Sequence, residues 1–198
     1  MLADFGRARA RIAFLLSLRQ LTLNAKNAQY ASLFNHPDLV KLVVHLDARF
    51  LEAWGMTGIN NFLLELPTFS PGLQALVIRA SYSVTKIQAT SFHNLSDLNL
   101  EIDIPVAHRF LASSGLFKQL SSFSIRTDNA LTPSHLHDLL QVFFENGSIL
   151  KKLYIDGFPN SPRTAEKESI VTSETLEAIL DSSQLTHLSF YWPARLPL

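Results

Sequence analysis

The residues best equipped for chemistry in this sequence are few and scattered. His135-x-His137-Asp138 places two imidazoles and a carboxylate close together, and these are donor types of a transition-metal site. The surrounding periodicity is helical, however, and on a helix residues i and i+2 point about 200° apart. The two rings cannot share one ion, so they are read as structural or solvated histidines. Ser113-Ser114 and Ser121-Ser122 offer hydroxyls. A serine nucleophile needs a base within hydrogen-bond reach and a further group to orient that base. The sequence identifies neither, and these serines are read as turn or strand-surface residues. Cysteine is absent, which removes disulfides, thiolate metal ligands and cysteine nucleophiles together. No G-x-S-x-G, phosphate-binding loop, G-x-G-x-x-G or H-E-x-x-H occurs. No catalytic, cofactor-binding or metal-binding residue is assigned, and no cofactor is expected.

Composition narrows the classes further. Lys plus Arg and Asp plus Glu number 17 each, for a formal net charge of zero. A nucleic-acid interface needs an excess of cations, so no nucleic-acid partner is expected. Zero net charge also removes the self-repulsion that opposes association. With 47% apolar and 17% charged residues, the 198-residue chain can build one real core. No apolar stretch is long enough to span a bilayer, and no membrane partner is expected. Arg7, Arg9 and Arg11 precede the apolar run 12–16, but Arg19 and Gln20 interrupt it too soon for a secretory signal. Residues 1–17 are read instead as an amphipathic helix capping the rest, with a mitochondrial presequence as the weaker alternative. An intracellular location, cytoplasmic or nuclear, is expected. The Asn-x-Ser sequons at Asn94 and Asn146 are read as turn residues. The polar stretch 159–169, with Ser161-Pro162 and the run Glu166-Lys167-Glu168, is read as a loop.

The elements that must position any site come from a repeat. A hexad, Leu-x-x-Leu-x-aliphatic or aromatic, begins at Leu18, Leu39, Leu73, Leu95, Leu150 and Leu185, with a looser copy at Leu120. The steps from one to the next are 21, 34, 22, 25, 30 and 35 residues. The last two apolar positions of each hexad have the period of a strand, and most copies follow a turn signal such as Ser70-Pro71-Gly72. Helical patterns lie between. Thr132-Pro133 is an N-cap followed by proline at the first helical position. Leu136, Leu139, Leu140, Phe143 and Phe144 then follow at helical spacing, and Gly147 closes the segment. A second helix is expected from Thr172 or Ser173, burying Leu176, Ile179 and Leu180, with shorter ones over 27–34, 59–66 and 105–113. Strands alternating with helices imply parallel pairing.

These hexads resemble the leucine-rich-repeat family, whose consensus is L-x-x-L-x-L-x-x-N/C-x-L. The irregular repeat lengths and helical connections are most similar to the repeat regions of fungal F-box proteins. The likeness spans Leu18 to Trp192, so residues 18–198 are read as one irregular domain of about seven repeats. It implies an α/β leucine-rich-repeat-like solenoid, with parallel strands on the concave face and helices on the convex face. It further implies a protein-protein interaction module, such as the substrate-recognition part of an F-box type ubiquitin ligase receptor, and not an enzyme. The alternative is an α/β enzyme of unrecognised class, which would show a deep pocket with converging titratable groups. The sequence departs from the family at the Asn/Cys ladder position. Lys26, Asp47, Ser81, Asp103, Asp128, Phe158 and Pro193 stand there, so the turns must be satisfied in another way. The F-box segment itself is not recognisable; Leu66-Pro67 reads as part of a repeat loop.

In each strand the residues between the buried ones face outward. A protein partner is expected on the concave face, around Arg126, Lys152, Tyr154, His187 and Tyr191, because Arg and Tyr recur at interface hot spots. Tyr191 and Trp192 follow the last hexad closely, so an exposed apolar C-terminal edge is expected, with either a longer native chain or self-association. One measurement tests the histidine geometry. Elemental analysis of the purified protein should find no stoichiometric transition metal. One ion per chain, lost in His135→Ala or His137→Ala, would overturn the helix argument.

Overall fold

The structure is a computed structural model that describes residues 18–24, 37–80, 92–127, 132–144, 148–157, 172–173, 177, 179 and 184–191. Seven short strands, β1 (Gln20–Leu23), β2 (Lys41–Leu46), β3 (Ala75–Ala80), β4 (Asp97–Glu101), β5 (Ser122–Thr127), β6 (Lys152–Gly157) and β7 (His187–Tyr191), coincide with the seven hexads. They form one sheet in chain order, and every neighbouring pair is parallel. Three described helices connect them: α1 (Ala48–Phe69) after β2, α2 (Ile104–Ser114) after β4 and α3 (Pro133–Phe144) after β5. No described helix is long and apolar enough to cross a membrane.

The hexad register survives intact. Leu21, Leu42, Leu76, Leu98, Phe123, Leu153 and Leu188 are aligned across all seven strands. The five interior members are at most 2% exposed. The end members depart from the expectation of one buried column: Leu21 is half-buried and Leu188 is 41% exposed. Among the described strands, an end strand has a strand neighbour on one side only. The second column, from Leu23 through Val44, Ile78, Leu100, Ile125 and Ile155, is buried until it reaches half-buried Phe190. Both columns join the apolar faces of the helices in one core. Phe123 of β5 meets Phe143 of α3 with ring centroids 5.0 Å apart, and α2 and α3 pack side by side.

The missing Asn ladder has a substitute at the opposite end of the strands. The carbonyl one residue after the first leucine of each hexad accepts two N–H groups from the next repeat. Arg19 accepts from Val40 and Lys41, Val40 from Gln74 and Ala75, and Gln74 from Ser96 and Asp97. Ser96, Ser121 and Lys151 continue the series to Thr186 and His187. Side-chain hydroxyls reinforce it: Ser121 Oγ donates to the Ser96 carbonyl (3.3 Å) and Thr186 Oγ1 to the Lys151 carbonyl (3.1 Å). Amides do the same one step earlier, Asn94 Nδ2 donating to the Pro71 carbonyl (2.8 Å) and Gln119 Nε2 to that of Phe92. The Asn94 sequon nitrogen is thus a turn-stabilising donor.

The helices follow their sequence signals, with two corrections. Thr132 Oγ1 accepts the His135 N–H at 3.3 Å, the N-cap geometry. Leu136, Leu139, Leu140 and Phe143 are buried, and Phe144 is half-buried. The Ser148 N–H donates to the Phe143 carbonyl, a six-to-one helix close. Helix α1 is far longer than the expected 59–66 and carries a break at Gly55 (φ 62°), a conformation that glycine adopts without penalty. Leu66-Pro67 lies in its last turn rather than in a loop. Asp103, a ladder position in the sequence reading, is the N-cap of α2. Ser173, Glu177 and Ile179 are helical and Ile179 is buried, as expected. The expectations for residues 1–17, 27–34, 159–169, Asn146, Gly147, Leu176, Leu180 and Trp192 lie outside the described residues, as do the ladder positions Lys26, Ser81, Asp128, Phe158 and Pro193.

Close stacking of consecutive repeats makes one glycine sensitive. A Cβ at Gly72 would stand 2.8 Å from the Pro37 carbonyl oxygen of the preceding repeat. Gly72→Ala should lower the unfolding free energy by about 1–3 kcal/mol, the range of an overpacked site, although alanine in an unconstrained turn would stabilise. Urea unfolding is the check; an unchanged or raised midpoint would mean that the two turns do not abut.

Candidate functional site

One sheet face is buried against the helices; the other carries the outward residues in three aligned rows. Row one runs Gln20, Lys41, Ala75, Asp97, Ser122, Lys152, His187. Row two runs Thr22, Val43, Val77, Asn99, Ser124, Tyr154, Ser189. Row three runs His45, Arg79, Glu101, Arg126, Asp156, Tyr191. Parallel strands about 4.8 Å apart make residues far apart in the chain immediate neighbours along each row.

Exposure varies across this face. Val43, Val77, Asn99 and Ser124 are half-buried, whereas Tyr154 is 38% and Tyr191 58% exposed. All five candidate residues, Arg126, Lys152, Tyr154, His187 and Tyr191, lie on this face and are exposed. Lys152 and His187 are register partners. The two tyrosines are not: Tyr154 aligns with Ser189 and Tyr191 with Asp156, so the rings sit on a diagonal. His187 Nδ1 lies 3.0 Å from Thr186 Oγ1.

The third row, an outward column of both charge signs, is joined by ion pairs that the alternation alone does not give. Its charges alternate in sign over four adjacent strands, Arg79, Glu101, Arg126, Asp156. Arg79 Nε is 3.1 Å from Glu101 Oε1, and Arg126 Nε is 3.6 Å from Asp156 Oδ2. Arg126 is therefore engaged by a neighbour as well as available to a partner. The other oxygen of Asp156 is buried without a hydrogen-bond partner, a cost that the ion pair must offset. The signal lay in comparing equivalent hexad positions, where the signs alternate. No motif along the chain carries it.

His135 and His137 stand at i and i+2 of α3, both half-buried. Among the described residues no cluster of three or more His, Asp or Glu is placed to hold a metal. Ser113 Oγ donates to the Arg109 carbonyl (2.6 Å) and Ser114 Oγ to that of Leu111 (3.1 Å). These hydroxyl protons belong to the helix backbone, as is common for serine near a helix end. Among the described residues, the titratable groups on the open face lie in rows along the sheet.

No family model, curated protein or solved structure matches the chain.

The charge row makes a measurable prediction. Arg126→Glu would set three carboxylates side by side across β4, β5 and β6. Directly opposed like charges destabilise a sheet, and partly exposed pairs are worth about 1 kcal/mol or less. The variant should lose about that much stability in low salt and recover much of it in 1 M salt, where screening is nearly complete. A salt-independent loss in urea titrations would assign the effect to packing.

Proposed function

We propose that this chain is a protein-protein interaction module, built as a leucine-rich-repeat-like solenoid with its strands on the concave side and its helices on the convex side. The observation that supports this reading is the sheet itself. Seven parallel strands in chain order bury one face against helices and present the other as a continuous, chemically mixed surface. Rows that combine both charge signs, small apolar residues and exposed tyrosines suit a protein partner better than a polyanion. Stacked repeats of this kind favour extended binding surfaces.

In this reading the partner contacts the half of the face around Arg126, Lys152, Tyr154, His187 and Tyr191. Tyr154 and Tyr191 supply contact area, Lys152 and His187 supply donors, and Arg126, already oriented by Asp156, presents a held guanidinium. The place of the module as the substrate-recognition part of an F-box type ubiquitin ligase receptor rests on the resemblance of the repeats alone.

The test is affinity capture from the native source with the wild-type chain and the Tyr154→Ala/Tyr191→Ala double variant, followed by identification of what is retained. A specific partner held by wild type should be lost from the variant, with an unchanged melting temperature. A ligase adaptor in the assembly would support the receptor role. A lowered melting temperature with capture retained would assign both rings to the fold and remove this site.

A further inference from the structure

We infer that the partner segment lying across β2 to β6 is an α-helix whose charges run acidic, basic, acidic at heptad spacing, docked along row one of the open face. The inference rests on the reading of this chain as an interaction module and gives the partner its chemistry.

The first argument is the order of charge. Over the five interior strands row one reads Lys41, Ala75, Asp97, Ser122, Lys152. The signs alternate, as in row three, but on every second strand. In row three opposite charges stand on adjacent strands and pair, Arg79 with Glu101 at 3.1 Å and Arg126 with Asp156 at 3.6 Å. In row one they stand two strands apart, about 10 Å between backbones. Among the described residues no ion pair involves Lys41, Asp97 or Lys152. Asp97 Oδ2 accepts the Ser96 hydroxyl at 2.7 Å, a contact that leaves its charge in place. Row three lies four residues further along each strand, about 13 Å away, too far to supply counter-charges by contact. Row one thus carries a plus, minus, plus pattern that pairing within the sheet does not use.

The second argument is access. Asp97 and Lys152 are exposed and Lys41 is half-buried. The residues between them, Ala75 and Ser122, are small, so a rod-like segment can approach along the row. Row two lies alongside and adds apolar area, with half-buried Val43 and Val77 at one end and exposed Tyr154 at the other. Every one of these residues stands on a strand paired on both sides, so the surface does not depend on the sheet edges.

The third argument is spacing. An α-helix returns to the same face at i, i+7 and i+14, with a rise of about 10.5 Å per step. An extended strand repeats a face at about 6.6 Å and about 13 Å, and neither matches alternate strands of this sheet. Carboxylates over Lys41 and Lys152, with a cation over Asp97, would fix the register of the helix. Complementary charge of this kind sets partner choice more than affinity.

The test is fluorescence anisotropy with three synthetic helical peptides, neutral apart from their charges at i, i+7 and i+14. One carries acidic, basic, acidic; a second has the same composition reordered as acidic, acidic, basic; a third is inverted to basic, acidic, basic. The first should bind wild type roughly tenfold tighter than the third in low salt, and tighter than the second. The differences should largely vanish in 1 M salt. Lys41→Glu/Asp97→Lys/Lys152→Glu should reverse the preference and favour the third peptide. Melting curves check folding. If half-buried Lys41 does not tolerate change, Asp97→Lys/Lys152→Glu should reverse the preference more weakly. Equal binding of the first and second peptides, a preference that the inverted protein keeps, or no binding by any peptide overturns this inference. None of these results touches the module reading, which stands or falls on capture by the tyrosine variant.

Discussion

The carbonyl that follows the first leucine of each hexad takes two N–H groups from the next repeat, at 2.8–3.0 Å, in six successive junctions. That contact sets where each strand begins relative to its neighbour. A slip of one residue in a sheet exchanges its two faces, and here it would expose the leucine columns and bury charges. The hydroxyls of Ser121 and Thr186 add donors at the same level. Connections of very different length can join the strands because the junction, and not the connection, determines the register.

With the register held, surface chemistry is organised across the chain rather than along it. Arg79 and Glu101, or Arg126 and Asp156, are separated by whole helices or loops in sequence, yet adjacent in space. Exposed pairs of this kind contribute modestly to stability, and their larger consequence is geometric. They tie neighbouring strands together along one border of the sheet, beside a row that runs from Val43 and Val77 to Tyr154. The exposed tyrosines of this face, Tyr154 and Tyr191, lie on β6 and β7.

The same principle makes the ends of the sheet different from its middle. An interior strand satisfies the backbone groups of both neighbours and shields their side chains. Among the described strands an end strand pairs on one side, and equivalent hexad positions reach different burial: Leu153 is 0% exposed and its register partner Leu188 is 41% exposed, whereas Leu23 on β1 is 1% exposed. Position in the stack decides this, and the hexad cannot.

Much of the architecture was legible in the sequence. The spacing of apolar residues located all seven strands, their parallel pairing and order, and the buried face, because side-chain alternation is a local property of an extended backbone. Thr132-Pro133 announced α3 for an equally local reason, the capping of free N–H groups. The five candidate residues were placed on the exposed face by the same alternation. Other features depended on contacts between distant segments. These are the carbonyl ladder that replaces the asparagine turn, the close approach of Gly72 to Pro37, the alternating ion pairs, the length of α1 across Gly55 and the exposure of Leu188. The sequence by itself determined which side of each strand is apolar, since that is written in every second residue. Only the tertiary structure decided which of those residues are covered and which charges meet, because burial and pairing belong to neighbours that the chain brings together only when it folds.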